Sequence, residues 1–224
     1  MSIKQKRFTT FFLCLLLSFS NAVISAHTIN YTLEKAPVND VVWFYLNLGY
    51  HHILPNGVDH ILFVVSLCLL STNIRTIIWQ ATAFTVAHSI TLALSMKSII
   101  MAPSAVVEPI IALSIAFVAL ENLIVTELKP WRVLVVFCFG LIHGMGFASA
   151  LNEIGLPRNA FLTSILSFNI GVELGQLTII LLVFGALIFW FGQKKWYRKV
   201  VVYPLSVVIA LTAAYWTIQR VFYV

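Results

Sequence analysis

Charge is what this chain has least of. Only 10% of its 224 residues are charged, against about a quarter in ordinary soluble domains. A soluble fold of this length could not hide the 60% that are hydrophobic. Lipid is the solvent that suits such a chain. Cysteine is also scarce: Cys14, Cys68 and Cys138 lie in apolar runs without CxxC spacing. Cys68 and Cys138 therefore read as small packing residues, and Cys14 belongs to an export segment at the start of the chain. No nucleotide-binding motif, internal repeat or low-complexity stretch is present. The formal net charge of +6 does not point to nucleic acid, because the basic residues sit in short loops between apolar windows rather than on one face. The expected partner is the lipid bilayer.

The start of the chain has Lys4, Lys6 and Arg7, an apolar stretch from Phe11 to Phe19, then small residues. That core is short for a membrane span and suits a signal peptide over 1–26, with cleavage after Ala22 or Ala26. An uncleaved anchor is the alternative, and in both cases the chain after Ala26 begins outside the cytoplasm. Residues 27–40 are polar and short, an arm rather than a domain. Residues 41–224 form the expected all-α bundle. Its apolar windows are roughly 41–71, 76–97, 104–126, 131–151, 161–191 and 200–222. Each later window holds about the 20 residues that cross the hydrocarbon as a helix, giving about six transmembrane helices. The first window is broken by Pro55-Asn56-Gly57. We expect 41–54 to lie at, or dip into, the outer interface and the span proper to start near Val58.

Orientation follows from the loops. With the mature N-terminus outside, the inner loops carry Arg75, Lys129, Arg132, Lys194, Lys195, Arg198 and Lys199, and the outer loops carry Lys97 and Arg158. That bias places the protein in the inner membrane with both mature termini in the periplasm.

Ionisable groups inside spans cost about 2.5–3.5 kcal/mol each on insertion scales, so each needs a reason. Here they are His51, His52, Asp59 and His60 around the first span, and His88 in the second. The third holds Glu108 and Glu121, the fourth His143, and the fifth Glu173 with Asn169 and Gln176. All but Glu121 fall in the outer half, at similar depth in five spans. Asn169, Glu173 and Gln176 stand at i, i+4 and i+7, one polar stripe on an apolar helix. Gly171 and Gly175 make a parallel stripe, and Gly140, Gly144 and Gly146 flank His143, where small residues allow close helix approach. Histidine with carboxylate and no cysteine is a ligand set for Zn²⁺, Ni²⁺ or Co²⁺. The reading is a metal site built from His60, His88 and His143 with Glu108 or Glu173. A proton-linked or structural polar network is the alternative. His51 and His52 lie at the interface, suited equally to solvation, access or ligation. Glu121 beside Asn122 marks either an exit path for an ion or a cap on a helix pair.

At these residues the chain resembles the HupE/UreJ family, in the branch with an exported N-terminus. The matching stretches are HHILPNGVDHILFVVSL (51–67), FTVAHSITLALS (84–95), VEPIIALSIAFVALENL (107–123), FGLIHGMGFASAL (139–151) and FNIGVELGQL (168–177). The resemblance implies a nickel or cobalt permease, with a metalloenzyme-maturation partner or a homo-oligomer as company. It carries a histidine–aspartate motif onto His52, Asp59 and His60. The permease form of that motif keeps its histidine pair and aspartate close together in one helix, whereas this chain spreads histidines over three.

Two functions therefore stand side by side. In a permease, His60, His88 and His143 would offer nitrogen ligands and Glu108 and Glu173 charge, in exchangeable coordination. In an intramembrane hydrolase the histidines would hold Zn²⁺, with Glu108, Glu173 or Asp59 as general base. An accessory or assembly role is the third possibility.

Overall fold

The computed structural model describes residues 30–222, so the expected signal peptide lies outside the described residues. Every element among them is helical. A short helix, α1 (Tyr31–Glu34), is capped by the Asn30 side chain and tied by Asn159 Nδ2 to Glu34 O at 2.9 Å. It lies within the polar arm. Next come α2 (Val38–Ile53), α3 (Val58–Leu70), α4 (Ile74–Met96), α5 (Ser104–Ile124) and α6 (Arg132–Ile154). A single turn, Arg158–Ala160, leads into α7 (Phe161–Val183), which runs on through a wide π turn to Phe191. The last helix is α8 (Tyr203–Phe222), entered through a second π turn.

Five of these helices are long and apolar enough to cross a membrane. The pair α2–α3 becomes a sixth span if counted as one helix bent by 68°. The break falls at residues 54–57, where proline and glycine interrupt the pattern, and α3 starts at Val58. At 13 residues, α3 is too short to span alone, since each residue adds 1.5 Å.

The outside of the bundle is oily and the inside is mixed, the reverse of a soluble protein. Trp79, Leu134, Leu162, Leu182, Phe189, Val208 and Leu211 are exposed, while Gln80, His88, Asn122, Arg132, His143 and Gln176 are buried. In lipid the apolar face needs no shelter, and the polar groups must find one another inside.

Three helix pairs pack closely: α4 with α6, α2 with α7, and α5 with α8; α3 lies against α5 and α7. Glycines set the first two. A Cβ on Gly140 would strike Phe84 O, and one on Gly144 would strike His88 O, so α6 rides against the α4 backbone. Likewise Gly49 faces Phe168 O, and Gly171 faces Leu46 O. Small residues bring backbones together where no hydrophobic force favours helix association. The helix expected at or dipping into the interface thus runs along α7, burying Val41, Tyr45, Gly49 and Ile53. Its C-terminal turn delivers His52 to the centre of the bundle.

Candidate metal centre

Four histidines from four helices meet in the bundle. Ring centroids are 4.7 Å apart for His52–His60, 6.2 Å for His52–His88, 6.1 Å for His60–His88 and 5.1 Å for His60–His143. One ring nitrogen from each of His52, His60 and His88 lies within 4.8 Å of the other two, close enough to share an ion. His143 stands beside this trio. The three histidines singled out from the sequence are therefore neighbours, but His52 completes the tightest group and His143 flanks it.

The state of each ring follows from its neighbours. Asn169 Nδ2 donates to Ile165 O at 2.8 Å, which turns Oδ1 toward His88 Nδ1 at 3.1 Å. His88 must then carry its proton on Nδ1 and present a lone pair at Nε2, which is buried and has no partner. Ser114 works the same way on His143. Its hydroxyl gives its only proton to Ile111 O at 2.7 Å, so at 3.1 Å it accepts from His143 Nε2–H. The buried, unpartnered Nδ1 of His143 is left as the free acceptor. His52 Nε2 and His60 Nε2 are also buried without partners. An unmade hydrogen bond to a buried polar atom costs about 1–3 kcal/mol. Three such rings within reach of one ion, with a fourth beside them, form a donor set for a metal, and fixing the distal ring nitrogen is how protein shells orient metal-binding histidines. Aromatic rings hold them in place: His88 stacks between Phe84 at 6.2 Å and Phe168 at 6.5 Å, and His52 lies 3.9 Å from Phe147.

A cavity of about 520 Å³ leads to the rings, lined by His52, Asp59, His60, His143, Glu108 and Arg220, among others. Glu108 is in the second turn of α5 and Arg220 is near the end of α8, so the cavity reaches the end of the bundle away from the basic loops. Asp59 does not approach the histidines as a ligand. Its carboxylate takes both contacts of Arg220 Nη2, at 2.8 and 3.1 Å. Arg220 also donates to Glu108 O at 3.2 Å and lies over Trp216. Sequence reading missed Arg220, which sits in the last turn of the last span; the unpaired Asp59 was the signal that some cation had to be near.

The remaining polar residues part company with the histidines. Glu173 accepts from Thr82 Oγ at 2.6 Å, and Gln176 Oε1 is 3.2 Å from Thr85 Oγ. Glu121 pairs with Arg132 at 3.1 Å, both almost wholly buried. Asn122 Nδ2 donates to Ser66 O, while Arg198 donates to the carbonyls of Asn122 and Val125 and closes the C-terminus of α5. These contacts tie Glu121 and Asn122 into the junction of α3, α5 and α6. His51 is exposed, its ring 6.1 Å from Tyr50.

These features define a polytopic helical bundle with a histidine cluster between its helices. A family model described as HupE / UreJ protein matches residues 28–220. The chain belongs to the HupE/UreJ family. No curated protein and no solved structure matches it.

Proposed function

We propose that this protein moves a divalent metal ion, nickel or cobalt by class, from the periplasmic side of the bacterial inner membrane toward the cytoplasm. The observation that carries the reading is the convergence of ring nitrogens from His52, His60 and His88, with the His143 ring beside them, next to a cavity reaching one end of the bundle; each of the four rings has a buried nitrogen without a hydrogen-bond partner. Imidazole suits Ni²⁺, Co²⁺ and Zn²⁺ over Mg²⁺ or Ca²⁺. The family's association with hydrogenase and urease maturation favours nickel or cobalt as cargo, with a maturation protein or a second copy as partner. The positive-inside bias turns the cavity to the periplasm. Asp59 and Glu108 at its wall draw cations in, and the Arg220 guanidinium moderates that field.

A second reading rests on one observation. Glu108, a carboxylate, shares the 520 Å³ cavity with His52, His60 and His143, which is also the layout of a hydrolase whose metal-bound water needs a base. Uptake of radioactive nickel or cobalt by cells expressing the protein, or its His52→Ala, His60→Ala and His88→Ala forms at matched levels, decides between them. The transporter requires uptake above an empty-vector control that each substitution removes. Uptake at the control level in every case would sink it and promote the hydrolase.

A further inference from the structure

The proposed transport leaves one question about its inner half. The polar groups expected there from the sequence, Glu121 and its neighbour Asn122, are committed to Arg132 and to backbone. Another carboxylate is not so committed. Glu173 sits in the middle of α7. Among the described residues the two acid–base pairs are Glu121–Arg132 and Asp59–Arg220, and neither includes it. Its Oε1 accepts from Thr82 Oγ at 2.6 Å. Its Oε2 is buried and has no hydrogen-bond partner. Beside it, Gln176 is fully buried and its Oε1 lies 3.2 Å from Thr85 Oγ.

We propose that Thr82, Thr85, Glu173 and Gln176 form a second cation site, made of oxygen alone, which takes the ion from the histidines and passes it toward the basic end. Depth supports this order. Thr85 and Thr82 lie three and six residues before His88 on α4, hence about 5 and 9 Å nearer the basic end. On the facing helix, Glu173 and Gln176 lie four and seven residues past Asn169, the residue bonded to His88. The ladder therefore begins at the histidine cluster and descends along one seam, α4 against α7.

The chemistry supports it as well. Two carboxylate oxygens, two hydroxyls and an amide oxygen make a harder donor set than the imidazoles of the histidine cluster, and harder donors hold Ni²⁺ or Co²⁺ less tightly. Conduction needs this: a site strong enough to select, followed by one weak enough to release. A carboxylate within a span and without a cation partner is costly to maintain unless it serves such a path.

The inference rests on the transport reading, and the test separates the two. Protein purified in detergent is titrated with cobalt(II), whose visible absorption reports nitrogen coordination. The same protein in liposomes is assayed for cobalt(II) uptake with a trapped metal-sensitive dye. Glu173→Gln is expected to keep the absorption spectrum and affinity of the histidine site while uptake falls about tenfold or more. Glu173→Asp, which keeps the charge, should recover part of that loss. Thr82→Val, which removes one oxygen and keeps the shape, should reduce uptake more mildly. Undiminished uptake by Glu173→Gln would overturn the second site and leave transport standing. A lost cobalt spectrum in Glu173→Gln would make Glu173 part of the histidine site, and also overturns it. Cobalt binding without uptake by the unaltered protein would remove the transport reading and this one with it. Should Glu173→Gln fail to fold, Thr82→Val decides alone: reduced uptake supports the site, and unchanged uptake overturns it.

Discussion

Arg220 closes on Asp59 across 161 residues of sequence, Nη2 lying 2.8 Å from Oδ2 and 3.1 Å from Oδ1. The pair fastens the last turn of α8 to the first turn of α3 at the wall of the cavity leading to the histidines. A cation arriving there meets a carboxylate already engaged and a guanidinium of its own sign. Arg220→Gln removes that positive charge and frees Asp59, so cobalt(II) affinity should rise a few-fold to about tenfold. Asp59→Asn removes the negative charge and should weaken binding to a similar degree. Calorimetric titration at low and high salt measures both; identical affinities in all three proteins would mean that this pair only fastens helices.

Asn169 fixes the tautomer of His88 through Nδ1. Asn169→Ala leaves every proposed ligand in place but lets the ring turn and the proton wander. Metal affinity should fall about 10–100-fold, as is usual when such a partner is lost. His88→Ala should abolish the site. Thermal melts give an independent check: cobalt(II) at about 100 times its Kd should stabilise the unaltered protein by about 2.7 kcal/mol. Chelator should reverse that gain, and His88→Ala should show no shift with metal. An Asn169→Ala affinity equal to the unaltered protein's would remove the proton argument.

Much of this arrangement was legible in the sequence, and the exceptions have physical causes. The bundle, the break at residues 54–57 and the start of α3 at Val58 followed from length, hydropathy and Pro55-Gly57. The glycines flanking His143 were read as contact points, and Gly140 and Gly144 do meet the α4 backbone. His52 came into view only through the family motif shared with Asp59 and His60, because a break fixes where a helix stops and not where its last turn points. His52 reaches the centre because Gly49 lets α2 lie against α7. Glu173 was grouped with the histidines by similar depth, but depth is one coordinate of three; its position on α7 turns it to Thr82. Arg220 escaped notice because an arginine at the end of a span ordinarily extends to the interface, and only the fold brings Asp59 to it.

The glycine contacts predict opposite outcomes for two chemically identical changes. Gly49→Ala would drive a methyl group into Phe168 O, a backbone atom with no freedom to yield. Overpacking of this kind costs about 1–3 kcal/mol, and the shift should also displace His52 and weaken metal binding. Gly185→Ala meets nothing within 4 Å and should be neutral or slightly stabilising, since alanine favours helix. Unfolding of both variants in detergent provides the comparison. Equal stability would mean that α2 and α7 are not held at the spacing described.

Orientation is tested by reporter fusions. The proposed arrangement places the segment between the two π turns, with Lys194 and Lys195, in the cytoplasm and the end of α8 in the periplasm. A reporter after Lys195 should be active only as a cytoplasmic fusion, and one after Val224 only as a periplasmic fusion. Opposite results at both positions would invert the bundle, turn the cavity to the cytoplasm and reverse the proposed direction of transport.

The final prediction concerns Glu121 and Arg132, whose side chains are 7% and 2% exposed and 3.1 Å apart. Arg132 also donates to Asn122 Oδ1 at 3.3 Å, and Asn122 reaches on to Ser66 O at 2.8 Å. The pair thus joins the start of α6 to the end of α5 and, through Asn122, to α3. Removing one member of a buried pair leaves an uncompensated charge and costs about 3–5 kcal/mol, whereas replacing both by apolar residues of like volume is often neutral. Glu121→Ala should therefore reduce the yield of folded protein, and metal uptake with it, without any role for Glu121 in conduction. The double change Glu121→Leu with Arg132→Leu separates folding from function. If the pair is a structural joint, the double variant recovers stability and transports metal at close to the original rate per folded molecule. If it folds well, binds cobalt(II) at the histidines and still fails to transport, Glu121 lies on the path after all, and the descent along α4 and α7 through Glu173 cannot be the whole route.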